Sequence, residues 1–271
     1  PYVTRLIKKS NKQINKIIPP KFCPICNGKT KKEIDEAVLR CENKYGCDSQ
    51  IIGQLIHFIS KKSLNIDGFG EKQVKQFFEL NLINKYEDIF SLEKNKNEIT
   101  KLEGWGEISF SNLIKSIEKS KDISLEKFIY SLGIRYIGEI NSEILAYEFT
   151  NLDNIITSIQ KNERLDNIDG LGPKAISSLV DYFNNDKNIK SIQKLKKILN
   201  ISNTRKISES NFFSNKNLVF TGSLNTLSRD EAKYLAKTKG AKILSSISKN
   251  TDYLIIGEKA GSKAQKAKIL G

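Results

Sequence analysis

The chain has 271 residues, of which 28 % are charged, and a formal net charge of +14 with a pI near 9.4. Hydrophobic residues make up 38 %, which suits several small cores better than one large one, and the length fits two or more domains. No apolar run nears the roughly 18 residues that a membrane helix needs, and Pro1-Tyr-Val-Thr-Arg5 lacks the apolar stretch of a secretory signal, so a membrane span is excluded and secretion is disfavoured.

Charge is unevenly spread. Residues 1–62 carry 13 basic and 5 acidic side chains, residues 63–199 carry 19 and 21, and residues 200–271 carry 13 and 5. Two basic flanks enclose a nearly neutral middle, which points to a polyanionic partner met by the flanks while the middle uses another device. Only six of the basic residues are arginine, so an AT-rich coding bias is the competing source of the lysines. With no methionine and Pro1 at its start, the sequence reads as a piece of a longer polypeptide.

All four cysteines fall in one short window as Cys23-Pro-Ile-Cys26, Cys41 and Cys47. Two such pairs converge naturally on a tetrahedral site, and four thiolates suit a closed structural Zn²⁺ site. Pro24 stiffens the first knuckle, Gly28 permits a turn after it and Gly46 precedes the last cysteine. So short a module buries little core, so the metal has to supply folding free energy of order 10 kcal/mol. Two disulfides are the alternative, which a chain without secretory features does not favour. His57 follows on a helix expected over 50–62, and its packing role outweighs that of a fifth ligand.

From 63 to 185 the chain repeats. Ile66-Asp-Gly-Phe-Gly70, Leu102-Glu-Gly-Trp-Gly106, Ile134-Arg-Tyr-Ile-Gly138 and Ile168-Asp-Gly-Leu-Gly172 recur with their last glycines 36, 32 and 34 residues apart. After each comes an amphipathic stripe: Val74, Phe77 and Phe78; Phe110, Leu113 and Ile114; Ser142, Leu145 and Ala146; Ile176, Leu179 and Val180. Pro173 suits the first turn of the last such helix. The pattern predicts four helix–hairpin–helix units. Glycine there adopts angles other residues avoid and bares backbone N–H groups, while the following helix presents its positive dipole end to the same anion. A segment with little net charge thereby grips phosphate through its backbone. A tetratricopeptide-like array shares the period but has no reason to place glycines at the turns.

Residues 200–215 are polar and read as a linker. Beyond them come a strand over 217–220 ending in Thr221-Gly222, a helix capped by Ser228 that stops at Gly240, strands over 241–244 and 252–256, and a helix opened by Gly261-Ser-Lys263. That is an α/β pattern.

These modules in this order resemble the C-terminal half of a bacterial NAD-dependent DNA ligase. Matching strings are Arg40-Cys41-Glu-Asn-Lys-Tyr-Gly-Cys47-Asp-Ser-Gln50, His57-Phe-Ile-Ser-Lys61 and Ser131-Leu-Gly-Ile-Arg-Tyr-Ile-Gly-Glu139. The resemblance implies a multidomain, mainly α chain: the end of an oligonucleotide-binding (OB) domain at 1–20, a four-cysteine zinc finger with its following helix at 21–62, a helix-hairpin-helix DNA-binding domain of four repeats at 63–199, a linker at 200–215 and an incomplete α/β BRCT domain at 216–271. It implies an enzyme that seals 5′-phosphate/3′-hydroxyl nicks in replication and repair, with NAD and Mg²⁺ used by domains absent from this sequence, since no Lys-x-Asp-Gly motif occurs in it. Nicked duplex DNA is the implied partner, with no membrane, a monomeric state and a cytoplasmic, nucleoid-associated location. Gly68, Gly70, Lys72, Gly104, Gly106, Gly138, Gly170, Gly172 and Lys174 are the implied DNA contacts, which position the duplex without reading bases. Thr221, Gly222 and Lys263 match phosphate-binding positions of phosphopeptide-reading BRCT domains, and read equally as turn residues and a solvated lysine. Ile108 stands where the family usually has lysine and Lys61 where it usually has arginine. Tyr136 replaces the first hairpin glycine of the third unit, which is therefore expected to be structural. A non-catalytic DNA-binding or scaffold protein of repair is the alternative.

Overall fold

The computed structural model of the chain describes residues 18–33, 36–161, 165, 168, 170–204, 212–227, 229–258 and 262–270. Most of the expected OB segment, the middle of the expected linker, and the expected roles of Ser228 and Gly261 lie outside the described residues. Two compact units are present, Pro1–Gly53 and Gln54–Gly271.

In the first unit the chain turns back between Cys23 and Gly28, with the Cys23 amide donating to the Gly28 carbonyl at 2.7 Å and the Asn27 amide to the Cys23 carbonyl at 2.9 Å. Strand β1 (Thr30–Lys32) then pairs antiparallel with β2 (Leu39–Cys41), in the register Thr30 to Cys41. Helix α1 (Asp48–Ile59) starts directly after Cys47, whose carbonyl accepts from the Gln50 and Ile51 amides. The Gln50 side chain donates to the Cys41 carbonyl at 2.9 Å and so ties the helix start to β2. Among the described residues of this unit the only buried hydrophobic side chains are Cys23 and Cys47, while Phe22, Ile25, Val38 and Tyr45 are exposed.

The second unit is mostly helical. It continues from α1 through α2 (Glu71–Glu79), a 3-10 segment (Tyr86–Asn95), α3 (Lys96–Ile99) and α4 (Glu107–Ser120). After strand β3 (Asp122–Ser124) come α5 (Leu125–Ser131), α6 (Glu139–Phe149), α7 (Leu152–Gln160), α8 (Pro173–Phe183) and α9 (Asp186–Ile198). Strand β4 (Asn200–Ser202) pairs parallel with β3 and closes this part of the chain. Each expected stripe faces inward: Val74 and Phe77, Phe110, Leu113 and Ile117, Leu145 and Ala146, and Leu179 and Phe183 are all buried. Aromatic rings link the early helices, with Phe58 stacked on Tyr86 at 4.4 Å and Phe77 between Phe69 and Trp105. The helix before the second turn differs from the simple repeat, because a 3-10 segment and the four-residue α3 stand in for a full helix.

The last segment forms a three-stranded parallel sheet in the order β6-β5-β7, made of β5 (Asn217–Thr221), β6 (Lys242–Ile243) and β7 (Tyr253–Ile256). Central β5 is buried over Leu218, Val219 and Phe220, as expected for a parallel strand covered on both faces. Helix α10 (Arg229–Thr238) joins β5 to β6, and α11 (Ser262–Leu270) follows β7. Helix α10 also meets α6: the Tyr147 hydroxyl donates to the Lys237 carbonyl at 3.3 Å and its ring lies edge-on to Tyr234.

Candidate nucleic-acid interface and metal centre

The four glycine-containing segments share one backbone turn. In each, the residue before the second glycine donates to the carbonyl three residues back: Phe69 to Ile66, Trp105 to Leu102, Ile137 to Ile134 and Leu171 to Ile168. The residue after the midpoint has a left-handed backbone, with φ of +76° at Gly68, +81° at Gly104, +94° at Gly170 and +63° at Tyr136. This is the demand of a type II turn, and glycine meets it without strain. Tyr136 adopts the same angle at a cost of about 1–2 kcal/mol, with the Arg135 guanidinium packed over its ring at 4.8 Å.

The second glycine of each segment does something else. Gly70, Gly106, Gly138 and Gly172 are the N-caps of α2, α4, α6 and α8, all with extended backbone that any residue adopts. A Cβ added at Gly106, Gly138 or Gly172 would meet no atom within 4 Å, and at Gly70 only the Gln73 side chain, at 3.3 Å. All four glycines are exposed. The Gly70 amide donates to Gln73 Oε1 at 3.2 Å and the Gly106 amide to Ser109 Oγ at 2.8 Å. Lys72 and Lys174 are exposed at the second position of α2 and α8, and Ile108, also exposed, holds that position in α4. The glutamates at the first position are each paired: Glu71 with Lys75 at 2.6 Å, Glu107 with Lys96 at 2.8 Å, and Glu139 with Lys62. Pairing offsets their repulsion of an anion at the helix start. His57 holds the third turn from behind, with Nε2 2.7 Å from the Tyr130 carbonyl and its ring against Gly133.

In the first unit the sulfur atoms of Cys23, Cys26, Cys41 and Cys47 all lie within 4.8 Å of one another. Four thiolates around a metal with bonds of about 2.3 Å place their sulfurs roughly 3.8 Å apart, which the Cys26–Cys41 and Cys23–Cys47 spacings of 3.4 and 4.0 Å bracket. Backbone amides aim at the sulfurs, Gly28 N at Cys26 and Asn43 N at Cys41, each at 3.4 Å. The Cys26 and Ile25 amides pull the Cys23 thiol down to about 7. Although the Asn43 amide favours the Cys41 thiolate, burial and the neighbouring thiols push that group up to about 11. A side chain at Gly28 would meet Asn43 Cβ at 3.0 Å and Cys26 Sγ at 3.2 Å. The donor set and its amide shell fit a metal ion held by all four cysteines.

In the last segment Thr221 is 5 % exposed and its carbonyl accepts from the Gly257 amide at 2.8 Å. Gly222 has φ +80°, and a Cβ there would meet the Gly257 and Glu258 carbonyls at 2.6 Å. Lys263 Nζ donates to the Ser245 carbonyl at 2.6 Å. The Thr221 carbonyl and the Lys263 ammonium thus have partners inside the sheet unit, and Gly222 is closely packed there.

Two family models match the chain: a helix-hairpin-helix motif over residues 127–192 and the BRCA1 C Terminus (BRCT) domain over residues 208–271. A DNA ligase of Rickettsia bellii (strain OSU 85-389) is 44 % identical over 265 residues, spanning 93 % of this chain and 38 % of that protein. DNA ligases of Rickettsia typhi and Wolbachia pipientis are 43 % and 44 % identical, over 97 % and 93 % of this chain and 40 % and 39 % of their own lengths. The chain belongs to the bacterial DNA ligases, as a C-terminal part. It spans about two fifths of the relatives it matches. Among the described residues of this ligase part no helix is long and apolar enough to cross a membrane.

Sequence reasoning placed the glycines and cysteines of this ligase part but missed three features. Gln73 and Ser109 close the helix starts, and their place three residues after the cap glycine is the readable sign of that role. Lysine pairing of the first-turn glutamates joins distant segments and leaves no local sign, except for Lys75 four residues after Glu71. A cleft of about 390 Å³ between the first and second turns, lined by Asp67, Gly68, Gln73, Gly104, Trp105 and Asn112 among others, has no sequence signature at all.

Proposed function

We propose that this chain is the DNA-clamping part of an NAD-dependent ligase that seals 5′-phosphate/3′-hydroxyl nicks in duplex DNA during replication and repair. The carrying observation is the set of cap glycines at Gly106, Gly138 and Gly172: exposed, extended, and with open space where a side chain would stand. Nothing among the described residues requires them to be glycine, so their bareness serves something outside, and helix N-termini left open to approach are phosphate sites. In this reading all four turns are helix–hairpin–helix units. Lys72 and Lys174 add point charges beside the first and fourth, and the lysine-rich flanks add salt-sensitive attraction. Glycine at the turn midpoint shapes each loop, and glycine at the cap lets the phosphate approach.

The cysteine unit is proposed to hold Zn²⁺ through Cys23, Cys26, Cys41 and Cys47, where the ion links the first knuckle, β2 and the start of α1. All four positions of a tetrahedral ion are then filled, which makes the ion structural. NAD and Mg²⁺ belong to domains outside this sequence. A phosphate bound by Thr221, Gly222 and Lys263 would have to draw Lys263 from the Ser245 carbonyl.

Binding to nicked and intact duplex across a salt series tests the proposal. We expect affinity that falls steeply with salt, a preference for the nick, and loss of at least tenfold in affinity in the Gly70→Val, Gly172→Val double variant with helicity retained. Binding untouched by those changes would mean that the turns are architectural.

A further inference from the structure

The first and second turns are held as one rigid pair. The Asp67 amide donates to Ser116 Oγ on α4 at 2.7 Å, and the Trp105 indole donates to Gln76 Oε1 on α2 at 3.2 Å while its ring packs on Phe77. Each turn is thereby pinned to the helix that follows the other. Between them lies the 390 Å³ cleft. Most of its polar groups are already used: Gln73 accepts from Gly70, and Ser109 accepts from Gly106. Asp67 and Asn112 are different. Both line the cleft, both are exposed, and neither side chain has a hydrogen bond or ion pair among the described residues.

A rigid concave site with an uncommitted amide, an uncommitted carboxylate and an indole edge is a hydrogen-bonding site for a flat polar edge. Resting on the DNA-clamp reading, the two turns grip phosphates and the cleft between them faces the groove that those phosphates border. The minor-groove floor displays acceptors at every base pair, and its single donor is the exocyclic amino group of guanine. A carboxylate accepts only. Over A·T pairs Asp67 meets acceptors alone and is repelled; over a G·C pair it has one matching partner, with Asn112 able to donate to the adjacent groove acceptor. We infer that the cleft between the first two turns reads the guanine amino group in the minor groove through Asp67 and Asn112, and so gives a largely sequence-independent clamp a preference for one G·C pair at a fixed distance from the nick.

The test replaces guanine by inosine, which lacks only that amino group, one position at a time around the nick, and measures binding of the whole 271-residue chain. At one position we expect wild-type affinity to fall on the order of fivefold, with the salt slope unchanged. Asp67→Ala should erase that inosine effect while keeping the melting temperature, because the hydrogen bond to Ser116 comes from the backbone. Asn112→Ala should weaken guanine-containing duplexes several-fold. Equal wild-type binding to every inosine duplex would overturn the inference, as would tighter binding of Asp67→Ala to all duplexes alike, the mark of a merely repulsive carboxylate. Either result leaves the clamp standing; absence of salt-sensitive DNA binding by the wild-type chain would instead remove the clamp itself.

Discussion

Glycine serves opposite ends in the two units. In the cysteine unit Gly28 and Gly46 are pressed against Asn43 and, for Gly28, against the Cys26 sulfur as well, at 2.8–3.2 Å from where a Cβ would be. Those glycines answer an internal demand, because a module with almost no buried apolar surface must bring its ligands together by close backbone turns. In the helical unit the cap glycines Gly106, Gly138 and Gly172 face open space, over a dense core of Phe77, Phe128, Phe183 and their neighbours. There the fold is complete without them. The contrast teaches how to separate a residue kept for folding from one kept for a partner: ask what a single added carbon would strike.

The largest effect that would sharpen this comparison is on the metal. Removing it with a chelator, or replacing Cys47 by alanine, should unfold the cysteine unit with a loss of order 10 kcal/mol, while thermal melting of the helical unit stays put. Hydrogen exchange resolved by segment checks it; a joint collapse would break the division. Acid should act in the same selective way. Bound cysteines must be thiolates, and Cys41 holds its proton up to about 11, so metal affinity falls throughout the descent in pH and more steeply once Cys23 also takes up its proton below about 7. Lys75 holds the Glu71 carboxyl below its usual 4.5, so that pair's contribution is complete above pH 4.5 and is lost only as pH falls further. At pH 5 the first unit should therefore be open and the second intact.

Next in size is the pair Gly170→Ala and Gly106→Ala. At Gly170 the backbone is left-handed and a Cβ would come within 2.6 Å of Ile144 Cδ1, so urea unfolding should show a loss of roughly 2–3 kcal/mol. Gly106→Ala should cost only about 0.5 kcal/mol, the ordinary cap preference, yet weaken DNA binding. Equal destabilisation by both would erase the distinction between turn and cap glycines. Smallest is Tyr136→Gly: relief of the left-handed backbone, worth about 1 kcal/mol, is partly offset by the lost ring contact with Arg135, worth about 0.5 kcal/mol. A net gain near 0.5 kcal/mol is expected, and a loss would show that the ring matters more than the angle.

Local demands were legible in the sequence. The φ requirement of a type II turn announces itself as glycine, the inward stripe as a helical period, and the convergence of four sulfurs as clustered cysteines. Tyr136 shows the boundary of that legibility, since the same turn forms there without the residue that signals it. Features built from residues far apart were not legible. The Glu139–Lys62 pair, the Asp67–Ser116 bond and the cleft depend on how helices are set side by side, and no local pattern encodes that. Helix α1 was expected over 50–62 and runs from Asp48 to Ile59; its start is fixed by the Cys47 carbonyl, which accepts from the Gln50 and Ile51 amides, a role that the cysteine spacing does not announce.

The short β3–β4 pairing has a mechanical consequence. Both strands run the same way, Asp122 beside Asn200 and Ser124 beside Ser202. The chain enters at the front end of β3 and leaves from the far end of β4. A pull between the segment before Asp122 and the segment after Ser202 therefore drags the strands past one another along their length. That is shear, in which the rungs share the load, rather than unzipping, in which they break in turn. The Asn200 amide on the Lys121 carbonyl, at 2.8 Å, and the Asn200 side chain on Asp122, at 2.9 Å, add two more bonds at the end where that load begins. Tension carried along the backbone from beyond Ser202 loads the segment between the strands, with its third and fourth turns, only after this clasp has yielded as a whole.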